Sequence, residues 1–340
     1  MKKKILAVVL SLIMVFAFVA CGTSDSGDNG EGATYNWQIG NVLSAGQPWD
    51  MGLVKFADLM NQYSDGRITA TVQSGGTLGS EIEMLEAVQM GTLEFSIAST
   101  PSYSGFCDAL NYFDLPYLFQ TTDSAWKVMD EWLSADRQTA MKGSGFHLLG
   151  FFDNGEYMIA GNKKFNAPAD AKGLRVRSHS SQLQCDTLSA LGANPLAVAW
   201  GDIYVSLQQG TIDAVSGTTL TNMYGGKFYE QTDYINMTRQ HFIPAPVSIS
   251  EDLWESLSVE DQEIVTRAFQ EAMEYQRGVA VEYANEAKQA MVDYGVEIVE
   301  IDPAEWSAAT ASVYDKWVGT NGIENDMITK IKESEKTYLQ

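Results

Sequence analysis

The 340-residue chain is poor in the residues from which most metal and catalytic sites are built. It has three cysteines and three histidines. His147, His179 and His241 share no ligand spacing with one another or with the cysteines, so no metal site is expected. Basic residues are also scarce. There are 22 lysines and arginines against 44 aspartates and glutamates, a formal net charge of -22. Nucleic-acid binding wants a basic face, so that partner class is excluded. An anionic solute would be repelled at long range, and any anion site must work through local, desolvated contacts. No Gly-x-Ser-x-Gly elbow, His-Glu-x-x-His or Cys-x-x-Cys occurs, nor a dinucleotide Gly-x-Gly-x-x-Gly after a strand. Neither an enzyme nor a cofactor is expected.

Long apolar runs are missing after the first twenty residues. The one at the start, Ile5 to Ala20, follows Lys2, Lys3 and Lys4 and is too short for a comfortable membrane span. Residues 1–20 therefore read as a signal peptide. The junction Ala20-Cys21-Gly22 resembles the bacterial lipobox, in which the cysteine thiol is lipidated. Residues 21–34, polar and glycine-rich, read as a lipidated flexible tether. This implies an extracytoplasmic protein anchored to the cell membrane through Cys21, periplasmic or at the cell surface.

The stretch from Gly173 to Thr218 organises the rest. Leu174 and Val176 alternate with Arg175 and Arg177, the period of a half-buried strand. Ser178, Ser180 and Ser181 are possible caps for a helix carrying Leu183, Leu188 and Leu191, with Gly192 to end it. Leu196 to Val198 is a second short apolar run. Asp202 is placed to cap a helix through Gln209, and Ile212 to Val215 is a third strand. The order β-α-β-α-β implies a parallel sheet, whose ligands sit outside the carboxyl ends of its strands. Arg177 is at one such end. It reads either as a surface arginine or as a guanidinium fork for a ligand carboxylate.

Similar elements surround this stretch. Trp37 to Val42 and Ile68 to Val72 read as strands, and Leu53, Phe56 and Met60 mark one face of a helix. Ser74 to Gly79 is a glycine-rich turn able to offer N–H groups to an anion. It lacks the Gly-Lys-Ser/Thr ending of a nucleotide loop. Ser80 with Glu83 has the spacing of a capping box. Gln89-Met90-Gly91-Thr92-Leu93-Glu94 echoes Gln208-Gln209-Gly210-Thr211-Ile212-Asp213, which fits two similar lobes. His147 to Phe152 and Phe242 to Ile249 are further strands where the chain crosses between lobes. Pro244 and Pro246 suit a hinge or edge there. Ser258 opens a helical pattern to about Asp293 with Gly295 as its stop, roughly 50 Å long at 1.5 Å per residue. Cys107 and Cys185 are a possible disulfide. Their placement in different lobes favours two unbridged, buried thiols.

The motifs closely resemble the solute-binding proteins of tripartite ATP-independent periplasmic (TRAP) transporters, the DctP-like family. The segments that carry the resemblance include Gly173-Leu174-Arg175-Val176-Arg177, Leu191-Gly192-Ala193-Asn194-Pro195, Asp202-Ile203-Tyr204-Val205-Ser206-Leu207-Gln208-Gln209-Gly210 and Phe113-Asp114-Leu115-Pro116-Tyr117-Leu118-Phe119. Together they span roughly residues 35 to 320. The resemblance implies an α/β, two-lobed periplasmic-binding-protein-like fold with a hinge and a long helix spanning both lobes. Lobe I would be 35–155 with 243–257, lobe II 156–242 with 296–320, and the spanning helix 258–295. It implies an organic acid bound between the lobes and delivered to TRAP membrane permease subunits. Arg177 matches the family's carboxylate-binding arginine. Tyr157 stands where many members have a second arginine, Gly217 where many have asparagine, and Gln47 where a histidine often precedes the first helix. With Trp200, Thr218, Asn154, Glu81 and Thr100, these are the expected ligand contacts. They suit one carboxylate on an apolar, aromatic or hydroxylated body better than a dicarboxylate. An ABC-type solute-binding lipoprotein, or a ligand-presenting sensor for a membrane kinase, would use a similar pocket.

Overall fold

The computed structural model describes residues 33–132, 138, 141–320 and 322–339. The proposed signal peptide, Cys21 and nearly all of the tether lie outside them. Among the described residues, nine strands join in one sheet. They are β1 (Tyr35–Gly40), β2 (Ile68–Gln73), β3 (Phe95–Ile97), β4 (Phe146–Gly161), β5 (Arg175–Ser178), β6 (Asn194–Ala197), β7 (Ala214–Thr218), β8 (Tyr234–Ser250) and β9 (Glu297–Glu300). The sheet runs β2-β1-β3-β8-β4-β7-β5-β6, with β9 added to β8.

Two strands hold the molecule together. β4 and β8 pair antiparallel from Phe146↔Ser250 to Gly161↔Tyr234, with register breaks between Asp153 and Glu156 and at two other points. One end of each strand serves one core and the other end another. Phe151 and Phe152 of β4 and Val247 and Ile249 of β8 pack with Trp37, Phe56, Phe95 and Phe113 in the first lobe. Met158 and Ala160 pack with Val215, Phe228, Ile235 and Met291 in the second. A satellite core of the second lobe gathers Ile159, Val176, Leu188 and Trp306. The aromatic first core is large, and full burial of one such side chain contributes about 1.5–3 kcal/mol.

The helix Val259–Tyr294 spans both lobes. Its 36 residues reach about 54 Å. Ser258 caps it by accepting from the Asp261 N–H, and Gly295 ends it in the left-handed conformation at φ 116°. Phe269 and Ala272 face the first core, while Ala287 and Met291 face the second. The Ser80–Glu83 capping box forms as its spacing predicts. β5 pairs parallel with both β6 and β7, the order expected from Gly173 to Thr218.

Some local expectations need correction. Asp202 makes no side-chain cap; a 3-10 turn, Trp200–Asp202, leads into the helix Ile203–Gln208 instead. Ser181 stands at the N-cap of the helix Gln182–Ala190 without a side-chain cap bond. Residues 296–320 do not all lie with the second lobe. Ile298 and Trp306 do, but Val313 and Trp317 pack in the first core with Ile323 and Met327. Trp317 Nε1 also donates to Asp186 at 2.7 Å, so this segment straddles the lobes. The reason is apolar surface: Val313 and Trp317 bury theirs in the first core.

Candidate functional site

The carboxyl ends of β5 and β7 open on a cavity of about 470 Å³ between the lobes. That volume lies within the roughly 300–1,000 Å³ range of small-molecule sites. Of the expected contacts, Glu81, Asn154, Tyr157, Arg177, Trp200 and Gly217 line it. Gln47, Thr100 and Thr218 are not among its walls. The Thr100 hydroxyl instead donates to buried Asp114 at 3.0 Å. Thr218 pairs with Met158 inside the sheet, on the opposite phase from Gly217. Gln47 is buried against Gly225, where an added Cβ would come within 2.2 Å of its amide oxygen. The glycine turn is also spent on its own chain. Gly75 N–H donates to Leu43 O, Gly76 N–H to Asn41 O, Gly79 N–H to Gly76 O and Ser80 N–H to Glu83. Those amides are not available to an anion.

Arg177 is the centre of the site. Its position on the polar phase of a strand predicts exposure, yet the side chain is only 1% exposed. Three carbonyls explain how a guanidinium tolerates this. Nε donates to Val198 O at 3.0 Å, and Nη1 donates to Ser216 O at 3.2 Å and Gly217 O at 2.9 Å. Nη2 has no hydrogen bond among the described residues. Burial lowers the guanidinium pKa to about 10, against the pull of Tyr157 and Glu81 toward a higher value. It remains a cation at neutral pH. Arg175, two residues upstream, is exposed and paired with Asp213 on the outside of the sheet. The fork expected at Arg177 is thus partly occupied by carbonyls of its own chain.

Glu81 brings a carboxyl group to the cavity from the first lobe. It opens the helix Glu81–Gln89 and accepts hydrogen bonds from the hydroxyls of Ser99, at 2.9 Å, and Ser102. Burial pushes its pKa up, and the two serines, the Ser99 backbone and Arg177 pull it back. Both serine hydroxyls bond the same oxygen, Oε2. Asn222 Nδ2 donates to Asn154 Oδ1 at 3.0 Å, and Asn222 Oδ1 is without a partner among the described residues. Trp200 forms an apolar wall and packs edge-on against Phe228 at 4.9 Å.

Several wall residues escaped sequence reasoning: Trp49, Ser99, Ser102, His179 and Asn222. His179 had a usable signal, because it continues the alternation Arg175, Arg177 one step past the strand. Ser99, Ser102 and Asn222 had none, since only the tertiary fold brings them to the cleft. Cys107 and Cys185 are free thiols, the first buried and the second half-buried.

Two lobes joined by shared strands, with a largely apolar cavity between them that holds a buried guanidinium, define a receptor for a small solute. Residues 39–320 match the model of the bacterial extracellular solute-binding protein family 7, DctP. The chain belongs to that family, and so is an extracytoplasmic solute-binding receptor and not an enzyme. Membership implies a small organic-acid ligand and a membrane permease partner. The 2,3-diketo-L-gulonate-binding periplasmic protein of Escherichia coli is 28% identical over 257 residues, 75% of this chain and 78% of that one. The C4-dicarboxylate-binding periplasmic protein of Rhodobacter capsulatus is 26% identical over 304 residues, 88% of this chain and 91% of that one. A TRAP periplasmic solute binding protein from Roseobacter denitrificans, solved with bound β-D-glucuronate, has a TM-score of 0.84 and 27% identity, covering 87% of this chain and 99% of its own.

Proposed function

We propose that this receptor captures a hydroxylated monocarboxylate, a sugar acid of the uronate or aldonate kind, and presents it to a TRAP permease. The carrying observation is the pairing of one unspent guanidinium prong, Arg177 Nη2, with one carboxyl group, Glu81, in the same cavity. Nη2 takes the solute carboxylate. Glu81, the Tyr157 oxygen and the asparagine pair take hydroxyls, and Trp200 covers the apolar face of the body. A second carboxylate on the solute would meet the Glu81 carboxyl group and no second lysine or arginine among the cavity's lining residues. The β-D-glucuronate in the Roseobacter denitrificans protein and the 2,3-diketo-L-gulonate binding of the Escherichia coli relative support this reading. The Rhodobacter capsulatus relative binds dicarboxylates, the competing class. The receptor is held at the membrane by lipid on Cys21, with residues 22–34 as its tether.

Calorimetry and thermal shift over uronates, aldonates and C4-dicarboxylates test the reading. A uronate or aldonate is expected to bind most tightly. Tighter binding of a dicarboxylate, or binding of no carboxylate at all, overturns it.

A further inference from the structure

His179 leaves β5 two residues after Arg177 and lines the same cavity. Its Nε2 is 3.0 Å from the hydroxyl of Tyr157, and the two rings lie nearly parallel, 4° apart in plane. Gly217, whose carbonyl accepts from Arg177 Nη1 at 2.9 Å, packs against the same imidazole. Gly217 has φ +68°, a conformation that suits glycine. A Cβ there would stand 2.7 Å from His179 Cδ2 and 2.9 Å from Arg177 Nη1. Histidine, arginine and glycine therefore fill one tightly shared space. Burial and then the Arg177 charge hold the imidazole pKa well below its ordinary value, so it is uncharged at neutral pH. Burial also keeps the Tyr157 phenol protonated. An uncharged imidazole thus bonds the phenol of this wall and packs on the glycine whose carbonyl holds the guanidinium.

We propose that His179 is the positioning residue for solute capture: it holds the Tyr157 hydroxyl by a hydrogen bond while packing on Gly217, whose carbonyl holds Arg177, and so keeps the Tyr157 oxygen and the guanidinium in place on one wall of the cavity. This rests on the sugar-acid reading above. It gives Tyr157 a definite task, as a neutral oxygen that receives a solute hydroxyl, held in place from behind by a ring that carries no charge. A second carboxylate finds no cation on this wall.

The test is a double-mutant cycle read by calorimetry with D-glucuronate. His179→Phe keeps the ring and removes both nitrogens, so packing alone would be preserved. It is expected to weaken binding at least tenfold, and His179→Gln, which restores hydrogen-bonding atoms, is expected to recover much of the loss. Tyr157→Phe should also weaken binding, and the double variant should be little worse than the worse single one, as for residues acting through one network. If His179→Phe does not fold, as judged by its ligand-free melting curve, His179→Leu takes its place in the cycle. The proposal is overturned if the histidine variant binds like wild type, if glutamine rescues nothing, or if the two losses simply multiply. Wild type that prefers a dicarboxylate refutes the sugar-acid reading alone, and the cycle is then run with that dicarboxylate. Wild type that binds no carboxylate refutes both.

Discussion

Replacing Arg177 is the most direct perturbation of the site. The guanidinium is 1% exposed, and three of its five N–H bonds go to carbonyls of Val198, Ser216 and Gly217. Arg177→Ala therefore acts twice. It strands a solute carboxylate in a desolvated cleft, at roughly 3–5 kcal/mol for a buried charge that loses its partner. At about 1.4 kcal/mol per decade this is at least a hundredfold in Kd. It also frees carbonyls at the ends of β6 and β7, each at about 1–3 kcal/mol if no water reaches it. The ligand-free protein should thus melt earlier. Arg177→Lys separates the two effects. The ammonium keeps the charge, but its three protons cannot replace three carbonyl contacts and still meet the solute, so binding should weaken clearly. Arg175→Ala is the control, since that side chain faces outward to Asp213. Calorimetry with the tightest carboxylate of the panel reads affinity, and ligand-free melting curves read stability. The reasoning is refuted if Arg177→Ala binds that acid as tightly as wild type, or if Arg175→Ala loses more.

Three further expectations follow from the sequence and the fold. Cys21→Ala should be shed into the medium or keep its signal peptide; identical membrane fractionation of variant and wild type would rule out lipidation. Small-angle scattering should show a smaller radius of gyration at saturating solute, because a solute that touches both lobes favours the closed form; an unchanged radius would contradict closure. Asp114 is buried, and burial raises its pKa from 3.8 to about 7. The folded state thus holds a proton that the unfolded chain releases, a stabilisation complete below pH 3.8 and lost as pH rises to 7, about 4 kcal/mol at most. Asp114→Asn should therefore gain stability relative to wild type as pH climbs from 4 to 7, in denaturant melts, and a constant difference would falsify the assignment.

What the sequence made legible is local. Caps, stops and short parallel units follow from a few neighbouring residues. Ser80 with Glu83, Ser258, Gly295 and the β-α-β-α-β order all form where spacing alone puts them. β4 and β8, of 16 and 17 residues, were visible only as fragments. Gly150 and Gly155 break the alternation of one, Pro244 and Pro246 that of the other, and the register shifts hide the rest. The site divides the same way. Arg177, Tyr157 and Gly217 were reached through motif positions, and the cavity brings them together with Glu81. The burial of Arg177 was not legible, because its carbonyl partners come from two other segments of chain.

The break in β4 also shows what a two-lobed receptor needs from its long helix. Strands that cross between lobes must bend somewhere, and bending costs ladder hydrogen bonds. Between Asp153 and Glu156 the pairing with β8 lapses, and Gly155 takes φ +89°. The backbone groups of Asp153 would be orphaned there in a buried setting. Gln276, fully buried near the middle of Val259–Tyr294, takes over both: its Oε1 accepts from Asp153 N–H at 2.7 Å and its Nε2 donates to Asp153 O at 2.9 Å. Trp49, a wall of the cavity, donates to the same carbonyl at 3.2 Å. Gly52 leaves the room, since a Cβ at that position would press on Gln276 Cγ at 2.7 Å. One side-chain amide thus takes both backbone groups of Asp153 and fastens the bend to the helix that spans both lobes. The strands can change direction at this point without leaving buried polar groups unmet, and the cavity wall is tied to the same peptide.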